Sequence, residues 1–216
     1  MLELRNISKI YTDKKVIDNA SIYISKGDSL VITGNSGCGK STLLRIITGL
    51  EKISSGEILL NNEIISNNKY VLRPNERNMS FVFQSAALWP HMTVKENIMF
   101  AMNNLSKLDA EEQINSLLKI AEISDLKDRY PNEISGGEAR RVSILRAIAS
   151  NKEIFILDEP LTNLNMDLKY KLLDFILEIV KATNKTMIYV THDLDEAERI
   201  HGRRFSMENG ILKEIY

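Results

Sequence analysis

One cysteine, one tryptophan, three histidines and four prolines are all that this 216-residue chain holds of those residue types. A lone cysteine, Cys38, excludes an intrachain disulfide and predicts a reducing compartment. Excess charge is lacking as well: 28 basic residues against 29 acidic ones leave a formal charge of −1. That balance gives no electrostatic footprint for a nucleic acid or an anionic membrane surface, so neither is predicted as a partner. No apolar run approaches the roughly 18 residues that a membrane span requires. The N-terminus, Met1-Leu2-Glu3-Leu4-Arg5, lacks the basic-then-apolar pattern of a secretory signal. Together these absences predict a soluble chain that serves a membrane only through another subunit. The length suits one domain with a sizeable core, and there is no repeat, low-complexity tract or long linker.

What is present begins with short apolar runs. Ser29–Thr33, Ser80–Phe83, Ile154–Leu157 and Met187–Val190 are apolar on both faces, the pattern of strands in a parallel sheet covered by helices. Leu2–Ser8, Ala20–Ser25 and Gly56–Ile65 instead alternate and turn at polar pairs such as Asn61-Asn62, which predicts an antiparallel sheet. Between Gln84 and Glu153 no strong strand is expected. Helices are predicted over Asp109–Ile123, over Glu138–Ser150 and from an Asn165 cap through Ala182.

Three segments and three single residues carry chemistry. Gly34-Asn35-Ser36-Gly37-Cys38-Gly39-Lys40-Ser41-Thr42 fits G-x-x-x-x-G-K-[ST] between a strand and a helix. Its amides would surround phosphates, Lys40 would reach the β/γ oxygens, and the Ser41 hydroxyl would serve Mg²⁺. Asp158 and Glu159 close an apolar strand, which suggests Asp158 on the metal and Glu159 on the attacking water. Ile134-Ser135-Gly136-Gly137-Glu138 opens a helix with adjacent glycines, a second surface suited to phosphate. Gln84 and His192 each follow a strand on the ligand edge, Gln84 suited to metal and water and His192 to the γ-phosphate. His91 and His201 have no such placement. Tyr11 suits either stacking on a purine or packing on the sheet.

In this order, over nearly the whole chain, these residues resemble the ATP-binding subunit of an ABC transporter. Tyr11 matches the adenine-stacking aromatic, Gly34–Thr42 the Walker A loop and Gln84 the Q-loop. Ile134–Glu138 matches the signature motif, Ile154–Glu159 Walker B with its catalytic glutamate, and Thr191-His192-Asp193 the switch histidine. The resemblance implies an α/β P-loop NTPase fold of the RecA-like kind: a mostly parallel sheet core, an N-terminal antiparallel β subdomain and an inserted α-helical subdomain. One domain would span 1–216, with 1–84 and 151–216 as catalytic core and 85–150 as the helical part bearing the signature. It further implies ATP and Mg²⁺, Lys40, Glu159 and His192 in catalysis, and Ser41, Gln84 and Asp158 on the metal. Two subunits would dimerise head to tail, each ATP lying between the Walker A loop of one and Ser135-Gly136-Gly137 of the other. Transmembrane permease subunits and an extracytoplasmic solute-binding protein are the implied partners, and the inner face of the cell membrane the implied location.

Two residues depart from the family pattern. Glu138 stands where glutamine is common, placing an anion near a triphosphate unless it points away or pairs with Arg140 or Arg141. Asn165 stands where the D-loop has aspartate, keeping the capping oxygen without the charge. Ala87–Ile98, with Trp89, Pro90 and Met92, resembles the segment by which import ATPases receive the permease; burial in the helical core is the alternative for Trp89. Import is therefore expected, of the polyamine, ferric-iron, thiamine and maltose type, and the end at Tyr216 implies that the C-terminal β domain of many such subunits is absent. An exporter subunit, or a non-transport ABC ATPase acting on ribosomes or nucleic acid, is the alternative; a single cassette and balanced charge stand against the latter. A nucleotide kinase or GTPase would leave Ser135–Gly137 unexplained, and Thr183-Asn184-Lys185-Thr186 fails the guanine motif at its fourth position.

Overall fold

A computed structural model describes residues 1–102 and 107–215. In chain order the elements are β1 (Leu2–Tyr11), β2 (Lys14–Ile24), β3 (Ser29–Thr33), α1 (Lys40–Ile47), β4 (Ser55–Leu60), β5 (Glu63–Asn67), β6 (Met79–Val82), α2 (Val94–Met99) and α3 (Lys107–Ile120). They continue with α4 (Gly136–Ala149), β7 (Ile154–Asp158), α5 (Met166–Ala182), β8 (Thr186–Val190), α6 (Leu194–Arg199), β9 (Arg203–Glu208) and β10 (Ile211–Ile215).

The central sheet runs β10-β9-β3-β8-β7-β6, parallel throughout except for the β9–β10 hairpin at one edge. Its strands are apolar without interruption because both faces are covered. Val31, Phe155, Leu157, Met187 and Tyr189 face a core shared with α2–α6. Their neighbours Leu30, Ile32, Ile154, Ile156, Ile188 and Val190 face a second core, filled from the other side by α1 and the antiparallel sheet. That second sheet, β2-β1-β4-β5, is antiparallel as the alternation predicts. Asn61 and Asn62 both adopt positive φ (52° and 67°), the backbone of a tight hairpin turn, and asparagine tolerates that region well.

Several boundaries differ from expectation. β1 and β2 run longer than the alternation suggests, because bulges at Asn6 and Asn19 (φ 51° each) re-phase the pattern without ending the strands. The helix expected over Asp109–Ile123 ends at Ile120. Glu122 turns left-handed (φ 55°), and Ile123 N–H donates to Leu118 O, a closing pattern that satisfies the last carbonyls. Arg141 donates to Ala121 O at the same helix end. α4 starts two residues earlier than predicted, at Gly136, and is buried nearly all round rather than on one side. α2, α6 and the β9–β10 hairpin are additions to the sequence-based picture.

Candidate functional site

β3 leads directly into the glycine loop, and α1 begins at Lys40. Gly34 and Gly39 are required by the fold itself. At Gly34 (φ 150°) an added Cβ would sit 2.3 Å from Met207 O, and at Gly39 (φ 116°) 2.7 Å from Val16 O. The loop is held from outside by the β9–β10 turn. Asn209 (φ 48°) and Gly210 (φ 80°) form it, and Gly210 N–H donates to Cys38 O at 3.1 Å. That support is absent from the sequence reading, although the Asn-Gly pair is a hairpin signal.

Ser36, Gly37, Gly39, Lys40, Ser41 and Thr42 line one cavity together with Gln84 and Glu159. Asn35 and Cys38 face a separate hollow beside Met207–Asn209, and Gly34 lines neither. Lys40 is buried; its Nζ donates to Gly34 O (2.6 Å) and Asn35 O (3.0 Å) and lies 4.0 Å from Glu159 Oε1. Glu159 leaves β7 in the left-handed region (φ 46°), and its Oε2 lies 3.1 Å from His192 Nδ1. The ends of β6, β7 and β8 thus deliver Gln84, Glu159 and His192 to one edge, where open parallel sheets place ligands.

Asp158 is 4% exposed, and burial pushes its carboxyl above the ordinary aspartate range, against the opposing hydrogen bond from Ser41. Among the described residues its buried Oδ1 has no hydrogen-bond partner. Ser41, Gln84 and Asp158 border a common hollow, an all-oxygen donor set with one carboxylate. Such a set suits Mg²⁺ completed by water and phosphate oxygens, and does not need the carboxylate cluster of a calcium cage.

Ser135, Gly136, Gly137 and Glu138 do not line that cavity. Ser135 caps α4: its Oγ accepts from Glu138 N (3.4 Å) while Glu138 Oε2 accepts from Ser135 N (2.6 Å). Glu138 therefore pairs with neither Arg140 nor Arg141. The hydrogen bond from the Ser135 backbone holds its carboxyl below the usual range. Asn165 caps α5 as expected, its Oδ1 accepting from Leu168 N at 2.9 Å.

Tyr11 also stands apart from the cavity lining. It does not pack into the sheet either: the residue is 42% exposed, with Lys9 Nζ 4.5 Å over one ring face. Trp89 is half-buried, its ring tilted at 55° against Phe100 (ring centroids 4.6 Å) with the Arg146 guanidinium 4.5 Å over it. Asn97, fully buried, fixes this segment: its amide bonds Trp89 N and O, Met92 O and Thr93 O. His91 and His201 lie exposed outside the cavity.

Two further arginines escaped the sequence reading. Arg140 reaches from α4 to the backbone at Phe83 and Glu159, and Arg77 is sealed beneath α1. Arg140 falls in register with Ile144 and Ile148, and a charge on an apolar helix face is the signal that was there to read. Arg77 has no comparable signal.

The fold and this constellation recur in known proteins. A dimeric ATP-binding cassette solved in a post-hydrolysis state with ADP and phosphate superposes with TM-score 0.87, at 29% identity over 100% of this chain and 99% of its own. A dimeric bacterial ABC transporter cassette gives 0.88 at the same identity and coverage. The lactose transport ATP-binding protein of Rhizobium radiobacter is 40% identical over 99% of this chain and 58% of its own length. The maltose/maltodextrin import ATP-binding protein of Mannheimia succiniciproducens is 39% identical over 99% and 57%. The chain thus spans less than two thirds of the length of the curated relatives it matches. Given a cassette fold, a glycine loop facing Gln84 and Glu159, and a match of residues 17–162 to the ABC transporter family model, the chain belongs to the ABC transporter family.

Proposed function

We propose that this chain is the ATP-binding and ATP-hydrolysing subunit of a membrane transporter of the import type, and that two such subunits close around two ATP molecules. One observation carries the shared site. A Cβ added at Gly136 would meet nothing within 4 Å, and at Gly137 only Leu164 Cδ2 at 3.6 Å, and neither glycine has positive φ. Nothing among the described residues requires them to be glycine. Glycines at an exposed helix N-terminus let backbone amides approach a ligand closely, and the helix end favours an anion. A triphosphate held on the glycine loop of a second subunit is such a ligand.

Within each site the loop amides and Lys40 neutralise phosphate charge, with Lys40 turning from the Gly34 and Asn35 carbonyls to the β/γ oxygens. Glu159 orients the attacking water, and His192, in contact with Glu159 Oε2, hydrogen-bonds the γ-phosphate. Ser41, Gln84 and Asp158 would hold Mg²⁺. When bound, that ion neutralises charge on the phosphate oxygens. Tyr11 offers its exposed ring to the purine. Residues 1–84 and 151–216 act as the catalytic core, and 85–150 as the helical part that carries Ser135–Glu138 toward the partner.

Coupling to transport would run through the Ala87–Ile98 segment, where Trp89 packs beside the neighbouring Phe100 (59% exposed) with the Arg146 guanidinium over its ring. Among the described residues no helix is long and apolar enough to cross a membrane. Permease subunits would form the path, a reading that the transport names of the relatives support. The chain would sit on their cytoplasmic side, with an extracytoplasmic solute-binding protein supplying cargo. The relatives named for import support that direction, and the variety of the cargoes in the relatives' names supports a cargo choice made by the other subunits.

Glu159→Gln should bind ATP, run as a dimer on gel filtration with ATP and lose steady-state turnover. Turnover at the wild-type rate removes Glu159 from its role. Ser135→Arg should bind ATP as a monomer and hydrolyse none, and normal hydrolysis by that variant refutes the shared site.

A further inference from the structure

We propose that Arg140 is a positioning residue for hydrolysis, tying the helix that begins at Ser135-Gly136-Gly137 to the backbone beside both Gln84 and Glu159. It rests on the ATPase reading above. Arg140 lies in the second turn of α4 and is 6% exposed. Among the described residues it forms no ion pair. Its Nη1 instead donates to the carbonyl of Phe83, the residue before Gln84, and its Nη2 donates to the carbonyl of Glu159 at 3.1 Å. One planar fork thus spans the ends of β6 and β7.

The second of these bonds falls where the backbone needs support. Glu159 sits at φ 46°, a region that disfavours any residue with a Cβ. Three residues hold it there, Thr162 through both its hydroxyl and its N–H (3.5 Å). The Glu159 N–H donates to Val190 O at 2.9 Å, and the Glu159 carbonyl accepts from Thr162 Oγ1 and from Arg140 Nη2, each at 3.1 Å. This turn brings the carboxylate to Lys40 and His192. Val190 and Thr162 belong to the adjoining strand and turn. Arg140 alone of the three comes from the helix that carries the Ser-Gly-Gly motif. Displacement of α4 therefore pulls on Phe83 O and Glu159 O together. Seating Ser135–Gly137 on a partner's nucleotide would in this way set the water-orienting carboxylate and Gln84 of the same chain, linking the two sites of a dimer.

The test compares the full-length wild type with Arg140→Met and Arg140→Lys by thermal melting, fluorescent-ATP binding to the monomer and steady-state hydrolysis. Arg140→Met should lose about tenfold to a hundredfold in kcat, the scale of one charge-assisted hydrogen bond, with KM and monomer affinity within about twofold. Arg140→Lys keeps the charge but not the fork, and should recover part of kcat. A merely structural tie would lower the melting temperature while leaving kcat per folded molecule unchanged, and that result overturns the proposal. If the methionine variant fails to fold, the lysine variant decides: reduced kcat at unaltered KM supports it, and wild-type kcat overturns it. A wild type that hydrolyses no ATP sinks the ATPase reading and this proposal together, whereas a hydrolysing wild type with indifferent variants sinks this proposal alone.

Discussion

Replacing Arg77 with methionine should destabilise the protein by about 3–5 kcal/mol. Arg77 is fully buried, and every group it bonds is an uncharged oxygen. Nε donates to Leu72 O (3.0 Å), Nη1 to Ile46 O (3.3 Å) and Ile47 O (2.7 Å), and Nη2 to Ile65 O (3.1 Å) and Ser66 Oγ (2.6 Å). Ile46 and Ile47 end α1, so a cation there meets the negative end of the helix whose other end carries the phosphate loop. Burial pushes the guanidinium down to about 10, which still leaves it charged at neutral pH. Hydrogen bonds to a charged group are worth about 1.5–3 kcal/mol each, but desolvation of the guanidinium offsets much of their sum. Ile46 O and Ile65 O keep backbone donors, but Ile47 O, Leu72 O and Ser66 Oγ lose the guanidinium, and at about 1–3 kcal/mol for each buried acceptor left unsatisfied the loss comes to about 3–5 kcal/mol. Methionine fills most of the volume, which isolates the polar loss from a cavity term. In a chain of this length the loss corresponds to a melting temperature lower by about 6–20 °C. Urea unfolding should show a lower midpoint at unchanged slope. A loss below about 1 kcal/mol refutes the argument. Gly49→Ala is a second arm: its Cβ would lie 2.5 Å from Arg77 Nε, so it should destabilise too, and less than additively with Arg77→Met.

Two other substitutions separate stability from chemistry. Glu138→Gln keeps an oxygen for Ser135 N but drops the charge at the start of α4, so it should lose up to about 1 kcal/mol at pH 7 while tightening ATP-driven dimerisation. The Glu138 carboxyl is held below its unfolded value, so its contribution is full above that value and lost as pH falls through the lower, folded one; urea melts should therefore show the gap between variant and wild type closing below about pH 4. A gap that ignores pH contradicts the assignment. Asp158→Asn should go the other way: burial raises this carboxyl, so its charged form weakens the fold above that raised value, and asparagine should add on the order of 1 kcal/mol at pH 7 while abolishing hydrolysis. A variant that melts lower than wild type would show the Asp158 charge to be compensated.

Much of the fold is legible in the sequence because the chain's apolar patterning and its burial agree. Ile154–Leu157 and Met187–Val190 are apolar at every position, and the structure buries successive residues in two different cores. Asn61-Asn62 marks a turn because both residues tolerate positive φ. What escapes is set by tertiary partners. Ala87–Ile98 reads as a surface segment, yet the residue that shapes it is buried Asn97, whose four bonds depend on the loop folding back. Arg140 and Arg77 look like ordinary basic residues until the carbonyls they bond are brought to them from strands and helices up to 57 residues away. The β9–β10 hairpin matters only because its turn lands on Cys38 O.

The glycines show where the fold stops explaining the sequence. Gly34 and Gly39 are fully accounted for by this chain: positive φ and carbonyls at 2.3 and 2.7 Å leave no room for a Cβ. Gly136 and Gly137 have ordinary helical φ, open space around them, and the lower helix propensity of glycine against them. Identical residue types therefore answer to different constraints, one internal and, on our proposal, one external. The external one falls at an exposed helix N-terminus whose cap, Ser135 with Glu138, is already complete, so the remaining amides need no residue of this chain. Arg140, a few residues along the same helix, bonds the carbonyl of Glu159. On the proposed reading, a group that docks on those amides would act on the same rigid body that bonds the Glu159 backbone, which is the physical basis for our proposal that dimer closure is a step in hydrolysis rather than its consequence.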